Sequence, residues 1–242
     1  MSPRKIVDQI ESDRTLPPGT GDRFAGYSVI GLPFLSGHVL ALRRFPVSSI
    51  GPAYTSVWHR DSRGTWTFYS TLNPELGCSR YFGGEVTRNV VAPIRIEWTG
   101  ATQFTVSVGN VVRWGVRLGE SSSTRLMNSL ARLVPDRWWR RTSVLNAMGL
   151  AGRFVLGTGR MNLAGLTPNG QEFLANLRLL WLIDSSRAIV DGVDLGPVGP
   201  LPRQACLNDF LIPQRGLFAV VRAFLESRPP VSNVVARRSD WV

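Results

Sequence analysis

From Ile94 to Leu118 apolar and polar residues alternate with a period of two, and this alternation constrains the fold more than any other feature of the chain. Ile94, Ile96 and Trp98, then Phe104, Val106 and Val108, then Val112, Trp114, Val116 and Leu118 carry the apolar side chains. Arg95, Glu97, Gln103, Thr105, Ser107, Arg113 and Arg117 stand between them. A period of two is the signature of a strand with one face buried. A three-residue loop Thr99-Gly100-Ala101 pairs Trp98 with Thr102, Ile96 with Phe104 and Ile94 with Val106. A second loop, Gly109-Asn110-Val111, pairs Val108 with Val112, Val106 with Trp114 and Phe104 with Val116. Every apolar residue then shares one face, and a slip of one residue would exchange the faces. The segment is expected to be a three-stranded antiparallel meander.

The rest of the chain extends this pattern. Short runs rich in β-branched and aromatic residues lie at Tyr27–Phe34, His38–Phe45, Tyr54–Arg60 and Thr65–Ser70, divided by Gly, Pro, Asn and Asp. A Ser62-Arg63-Gly64 loop sets Arg60 opposite Trp66, His59 opposite Thr67, Trp58 opposite Phe68, Val57 opposite Tyr69 and Ser56 opposite Ser70, with Gly64 at the position that favours positive φ. Residues 121–156 read instead as two helices. Leu126, Leu130, Leu133 and Val134 share a face of the first; Trp138, Trp139, Leu145 and Met148 form a broad apolar stripe after Pro135. Further strands are expected at Gly159–Leu166, Arg178–Ile183, Ala188–Val190, Cys206–Ile212 and Leu217–Phe224. The expected architecture is mainly β: one antiparallel β-barrel, or closed sandwich, of ten to twelve strands with a two-helix insertion. Residues 1–25 form an N-terminal helix and linker, 26–226 the β domain with its helical lid at 121–156, and 227–242 a loose polar tail.

Composition narrows the function classes. The 242 residues carry a net charge of +11, yet Lys5 is the one lysine and the other basic residues are arginines scattered in ones and twos. Arginine suits phosphate or carboxylate recognition, and a GC-rich genome produces the same bias. No run of five basic residues occurs, which disfavours a nucleic-acid partner. Cys78 and Cys206 alone exclude a disulfide framework and disfavour a cysteine-built zinc site, and two histidines exclude a poly-histidine metal site. The Gly-rich pieces lack the contexts of phosphate-binding loops, and no Gly-x-Ser-x-Gly elbow is present. No metal or cofactor is expected. The polar start has no apolar signal segment and no stretch reaches membrane-spanning length, so a cytoplasmic location is the default expectation.

Near the C-terminus, Leu207-Asn208-Asp209-Phe210-Leu211-Ile212-Pro213-Gln214-Arg215-Gly216-Leu217-Phe218 resembles the closing segment of acetoacetate decarboxylase-like proteins. Cys78-Ser79-Arg80-Tyr81-Phe82-Gly83-Gly84 resembles the region ahead of their Schiff-base lysine. The resemblance covers about a quarter of the chain and implies a decarboxylase-type fold. It does not imply iminium chemistry, because no lysine lies past Lys5. A lipocalin-like barrel, including the carotenoid-hydratase type, fits the meander equally well.

Among candidate residues, Trp58-His59-Arg60-Asp61 places His59 and Asp61 on one strand face, where a carboxylate can orient an imidazole as a general base. The alternative is a histidine at a strand end bonded to a turn carboxylate. Asp184 follows the apolar run Leu179–Ile183 and would be a buried acid with a raised pKa, or a turn cap. Arg80 and Tyr81 would line a barrel mouth and polarise a substrate or hold its carboxylate. Trp58, Tyr69, Trp114 and Trp181 would wall the interior. The expected function is a barrel binding a small apolar or amphipathic metabolite, acting as a cofactor-free lyase, isomerase or cyclase. One alternative is a non-catalytic lipid or pigment carrier docking on membranes through the basic, Trp-rich helix. A nucleic-acid-binding barrel is the other.

Overall fold

The computed structural model describes residues 2–119 and 121–226; the expected tail at 227–242 lies outside the described residues. In chain order the elements are α1 (Pro3–Asp13), β1 (Asp22–Pro33), β2 (Val39–Ser48), β3 (Tyr54–Arg60), β4 (Trp66–Ser70), α2 (Ser79–Phe82), β5 (Arg88–Val91), β6 (Ile94–Trp98), β7 (Gln103–Val108) and β8 (Val112–Gly119). Then come α3 (Ser122–Leu133), α4 (Thr142–Leu156), β9 (Ala164–Leu166), β10 (Glu172–Val190), β11 (Val193–Asp194), β12 (Cys206–Leu207), β13 (Phe210–Leu211) and β14 (Leu217–Glu226).

Twelve strands form one sheet in the order β5-β4-β3-β2-β1-β14-β10-β8-β7-β6, with β9 and β11 paired to β10. Its two edges, β5 and β6, are separated in the chain by Ala92 and Pro93 alone. The sheet must therefore curl until its edges approach. The expected barrel is corrected at this seam: among the described residues no ladder joins β5 to β6, and the sheet stays open. β4–β5 is the parallel pair, entered by the excursion through α2. The runs expected as separate strands at Arg178–Ile183 and Ala188–Val190 are one 19-residue strand, β10, bent at a register shift between Ile183 and Ser185.

The meander forms with its faces as expected, but the first hairpin pairs Trp98 with Phe104, Ile96 with Val106 and Ile94 with Val108. The Gln103 carbonyl accepts from the N–H groups of Thr99 and Gly100, which lengthens the loop and moves the register by two residues. A shift of two leaves the faces unchanged. The β7–β8 and β3–β4 registers are those read from the sequence, and Gly64 has φ +93°.

Three cores result. The concave side of the curl holds the first, where Leu42, Val57 and Tyr69 from one end of the ladder pack with Phe104, Trp114 and Trp181 from the other, and with Ile6 and Val7 of α1. On the convex side, β1–β4 pack under α2 and the β12–β13 hairpin, while β10 and β14 pack under α3 and α4. β1 bulges twice against β2, between Ala25 and Tyr27 and between Val29 and Leu32. Gly26 sits in the first bulge, where a Cβ would lie 2.0 Å from the Arg44 carbonyl oxygen.

The helical insertion departs from expectation in one respect. α3 starts at a Ser121–Thr124 capping box, but buries Thr124, Met127 and Ala131, whose small or slender side chains let it lie close to β10. The Leu126, Leu130 and Leu133 stripe faces solvent.

Candidate functional site

The concave interior, where a ligand was expected, is filled by side chains. Around Phe218 the rings of Tyr27, Trp98, Phe104 and Trp181 lie with centroids 5.7–6.1 Å away. An apolar, partly open cavity lies on the convex side, between the sheet and the α2 and β13 cover. Strand alternation places Phe24, Ser28 and Ile30 of β1, Arg43 and Phe45 of β2, and Trp58 of β3 along its floor. Tyr81, Phe82 and Phe210 close it from above, and Ala175 and Ala223 leave room at the side. Its free volume is about 60 Å³. One water needs roughly 10–15 Å³ by the same measure, so the space suits a molecule of a few non-hydrogen atoms.

The floor carries a charge. Arg43 is 5% exposed, and among the described residues no carboxylate lies within ion-pair distance of it. Its guanidinium donates to the carbonyl oxygens of Val29 at 2.6 Å, Leu42 at 2.9 Å and Ile30 at 3.1 Å. The second β1 bulge, at Ile30 and Gly31, falls at two of these carbonyls. The cation lies 4.4 Å over the Trp58 ring and 5.5 Å from that of Phe210. Burial lowers its pKa to about 10, opposed by Cys78 and Tyr54, so it remains a cation at neutral pH. A buried cation without an anion is costly to keep.

Ser28 and Ser56 flank Arg43 directly in the ladders on either side. Both are buried, and neither hydroxyl has a partner among the described residues; nor does Trp58 Nε1. Beyond them the Tyr54 hydroxyl and Cys78 Sγ share a hydrogen bond at 3.0 Å, and the Tyr81 hydroxyl donates to Asp22 Oδ2 at 2.9 Å. Burial raises the pKa of all three groups, so the phenols and the thiol stay protonated at neutral pH. The result is a fixed cation, protonated donors and aromatic walls.

Of the residues singled out from the sequence, Trp58 and Tyr81 line this cavity, and Arg80 points into solvent beside it. Tyr69, Trp114 and Trp181 belong to the concave core, where Trp114 Nε1 donates to Ser186 Oγ at 2.9 Å. His59 is on the face opposite Trp58. It bonds His38, with Nε2 2.9 Å from His38 Nδ1 and the rings stacked at 5.2 Å. Burial first, then the neighbouring His38, lowers its pKa to about 4. The expected His59–Asp61 hydrogen bond does not form. The chain has left the strand at Asp61, whose Oδ1 accepts from the N–H groups of Arg63 and Thr65 and closes the turn. Asp184 is exposed rather than buried, because the β10 register shift falls on it. Arg43 and Ser28 of the cavity floor, and Ser56 beside Arg43, are not singled out by the sequence motifs. Their signal was available: Arg43 alternates with Val39, Ala41 and Phe45 on the inward face of its strand.

No family model matches this sequence, and no curated protein is significantly similar to it. Among solved structures, it is similar to acetoacetate decarboxylase from Legionella pneumophila subsp. pneumophila, with TM-score 0.37 and 9% identity over 89% of each chain. A second acetoacetate decarboxylase structure gives TM-score 0.41 and 9% identity, covering 86% of this chain and 88% of that one. Likeness at this level transfers neither a residue nor a reaction.

Proposed function

We propose that this protein binds a small molecule with an anionic head and a short apolar body in the Arg43 cavity, and acts on it as a lyase or isomerase. The observation that carries this reading is the buried, acid-free Arg43 between two unpartnered serine hydroxyls. A carboxylate would accept from the guanidinium and from Ser28, with its apolar part against Trp58, Phe82 and Phe210. The same cation can hold negative charge that develops during decarboxylation or isomerisation of an activated acid. A cavity of about 60 Å³ argues against a lipid or carotenoid as ligand.

Titration with butanoate and butanamide, followed by tryptophan fluorescence, tests the reading. Butanoate should bind and the neutral isostere should not. Arg43→Met should weaken butanoate by about tenfold or more, the scale of a lost charge-assisted hydrogen bond. Should Arg43→Met not fold, Ala223→Leu, which fills the cavity without touching the cation, should also abolish binding. Equal affinity for acid and amide, or butanoate binding that survives Ala223→Leu, would overturn the proposal.

A further inference from the structure

The helical insertion presents apolar side chains to solvent on an arginine-rich surface that lines no part of the cavity. On α3, Leu126, Leu130 and Leu133 are 55, 51 and 78% exposed; on α4, Leu150 and Phe154 are 56 and 73% exposed. Residues spaced i, i+4 and i+7 share one helix face, so each helix carries an outward stripe as well as an inward one. Both inward stripes join one core: Met127 and Ala131 of α3, and Leu145 and Leu156 of α4, pack on Leu177, Leu180 and Leu182 of β10. The two outward stripes therefore point away from the same side of the sheet.

The charge around them has one sign. Between Ser121 and Arg160 stand seven arginines and one acidic residue, Asp136. Asp136 is already engaged by Arg178 and Arg222 of the sheet. Arg125, Arg132, Arg137, Arg141 and Arg153 are exposed, with Arg141 and Arg153 lying against the exposed rings of Trp138 and Phe154. An apolar stripe flanked by cations is complementary to a surface that offers hydrocarbon beneath negative charge. A second copy of this chain would bring the same positive surface against itself and repel it.

We propose that α3, the Asp136–Arg140 turn and α4 dock this protein on anionic lipid bilayers, with Leu126, Leu130, Leu133, Leu150 and Phe154 entering the interface and the arginines meeting the headgroups. The attachment is peripheral: among the described residues no helix is long and apolar enough to cross a membrane. Each arginine near an anionic surface strengthens binding by about fivefold, so attachment depends on lipid charge and falls with salt.

Co-sedimentation of the full chain with two kinds of vesicle tests the proposal, one of phosphatidylcholine alone and the other with added phosphatidylglycerol. Binding is expected to the phosphatidylglycerol vesicles at low salt, to fall steeply as salt rises, and to be absent with phosphatidylcholine alone. Leu130→Asp combined with Phe154→Asp should reduce the partition coefficient at least tenfold, and since both side chains are exposed the melting temperature should not move. Arg132→Glu with Arg137→Glu should do the same through charge. No binding to phosphatidylglycerol vesicles at low salt would overturn the proposal. So would binding indifferent to the Leu130/Phe154 substitutions, which would mark a general polyanion surface such as one for nucleic acid. So too would a concentration-dependent dimer, seen in sedimentation velocity and dissolved by those substitutions, which would show the face is covered by a second copy.

Discussion

Arg43 and Arg44 are neighbours on β2, and strand alternation sends them to opposite faces of one sheet. Arg44 faces the concave side and meets Glu11 of α1 through two hydrogen bonds of 2.8 and 2.7 Å, while Tyr27 donates to the same carboxylate at 3.0 Å. Burial alone would raise the pKa of Glu11, but its bonds to Arg44 and Tyr27 outweigh that and hold it below the usual carboxylate range. Arg43 faces the convex side and has, among the described residues, backbone carbonyls, two lone serines and no acid. One arginine closes a structure, as α1 is tied across the end of the concave core. The other has no carboxylate partner among the described residues. The concave core is filled with rings, with Trp98 Nε1 buried and unpartnered beside them, whereas Ser28 Oγ and Trp58 Nε1 are left unpartnered at the convex cavity.

The contrast is broken most forcefully on the concave side. Phe218 is fully buried at the centre of four aromatic rings. Phe218→Ala should cost about 3–5 kcal/mol in urea denaturation. A much smaller loss would mean that the concave core is loosely packed and able to admit a ligand.

The His38–His59 pair offers a second test, through pH. An unfolded histidine titrates near 6.5 and folded His59 near 4. Between those values the unfolded chain binds a proton that the native state refuses, so stability is complete above about pH 6.5 and declines as pH falls toward 4. The loss is about 3 kcal/mol for a shift of this size. His38 is also lowered, chiefly by burial, while Asp61 and Asp191 act in the opposite direction on His59. His59→Gln should flatten the profile of denaturation midpoint against pH over this window. An unchanged profile would remove His59 from its structural role and restore the case for a solvent-reached base.

How far the sequence alone could go follows from these residues. Alternation in β7 and β8 specified faces and register, because one side is buried and the other wet. It could not choose between hairpins two residues apart, since both preserve the faces, and the Gln103 carbonyl decided between them. A shared side for His59 and Asp61 did not bring a hydrogen bond between them, because Asp61 lies one residue past the strand and its Oδ1 is taken by the turn. The apolar stripe of α3 was legible but its direction was not. Close approach to β10 favours Thr124 and Ala131 over the leucines, and packing distance is invisible in periodicity. Arg43 was hidden by its neighbour: an Arg-Arg pair reads as surface charge until each residue is assigned a face.

The smallest expected effect discriminates most finely. Ser28 is fully buried and its hydroxyl lacks a partner, so the folded chain has surrendered water at that oxygen without replacing it. Removing such a group takes away a desolvation penalty of about 1–3 kcal/mol and leaves a gap of a single oxygen, so the two terms nearly cancel. Ser28→Ala should therefore leave the urea midpoint unchanged or raise it by the equivalent of up to about 1 kcal/mol. Butanoate affinity should meanwhile fall by roughly tenfold or more, the scale of one hydrogen bond to a charged acceptor. Tyr27→Phe is its mirror on the concave face, where the lost hydroxyl is paired with Glu11: there stability should fall by about 1–2 kcal/mol and affinity should hold. If both variants lost stability alone, Ser28 would be one more packing residue, and the difference between the faces of β2 would be one of composition and not of purpose.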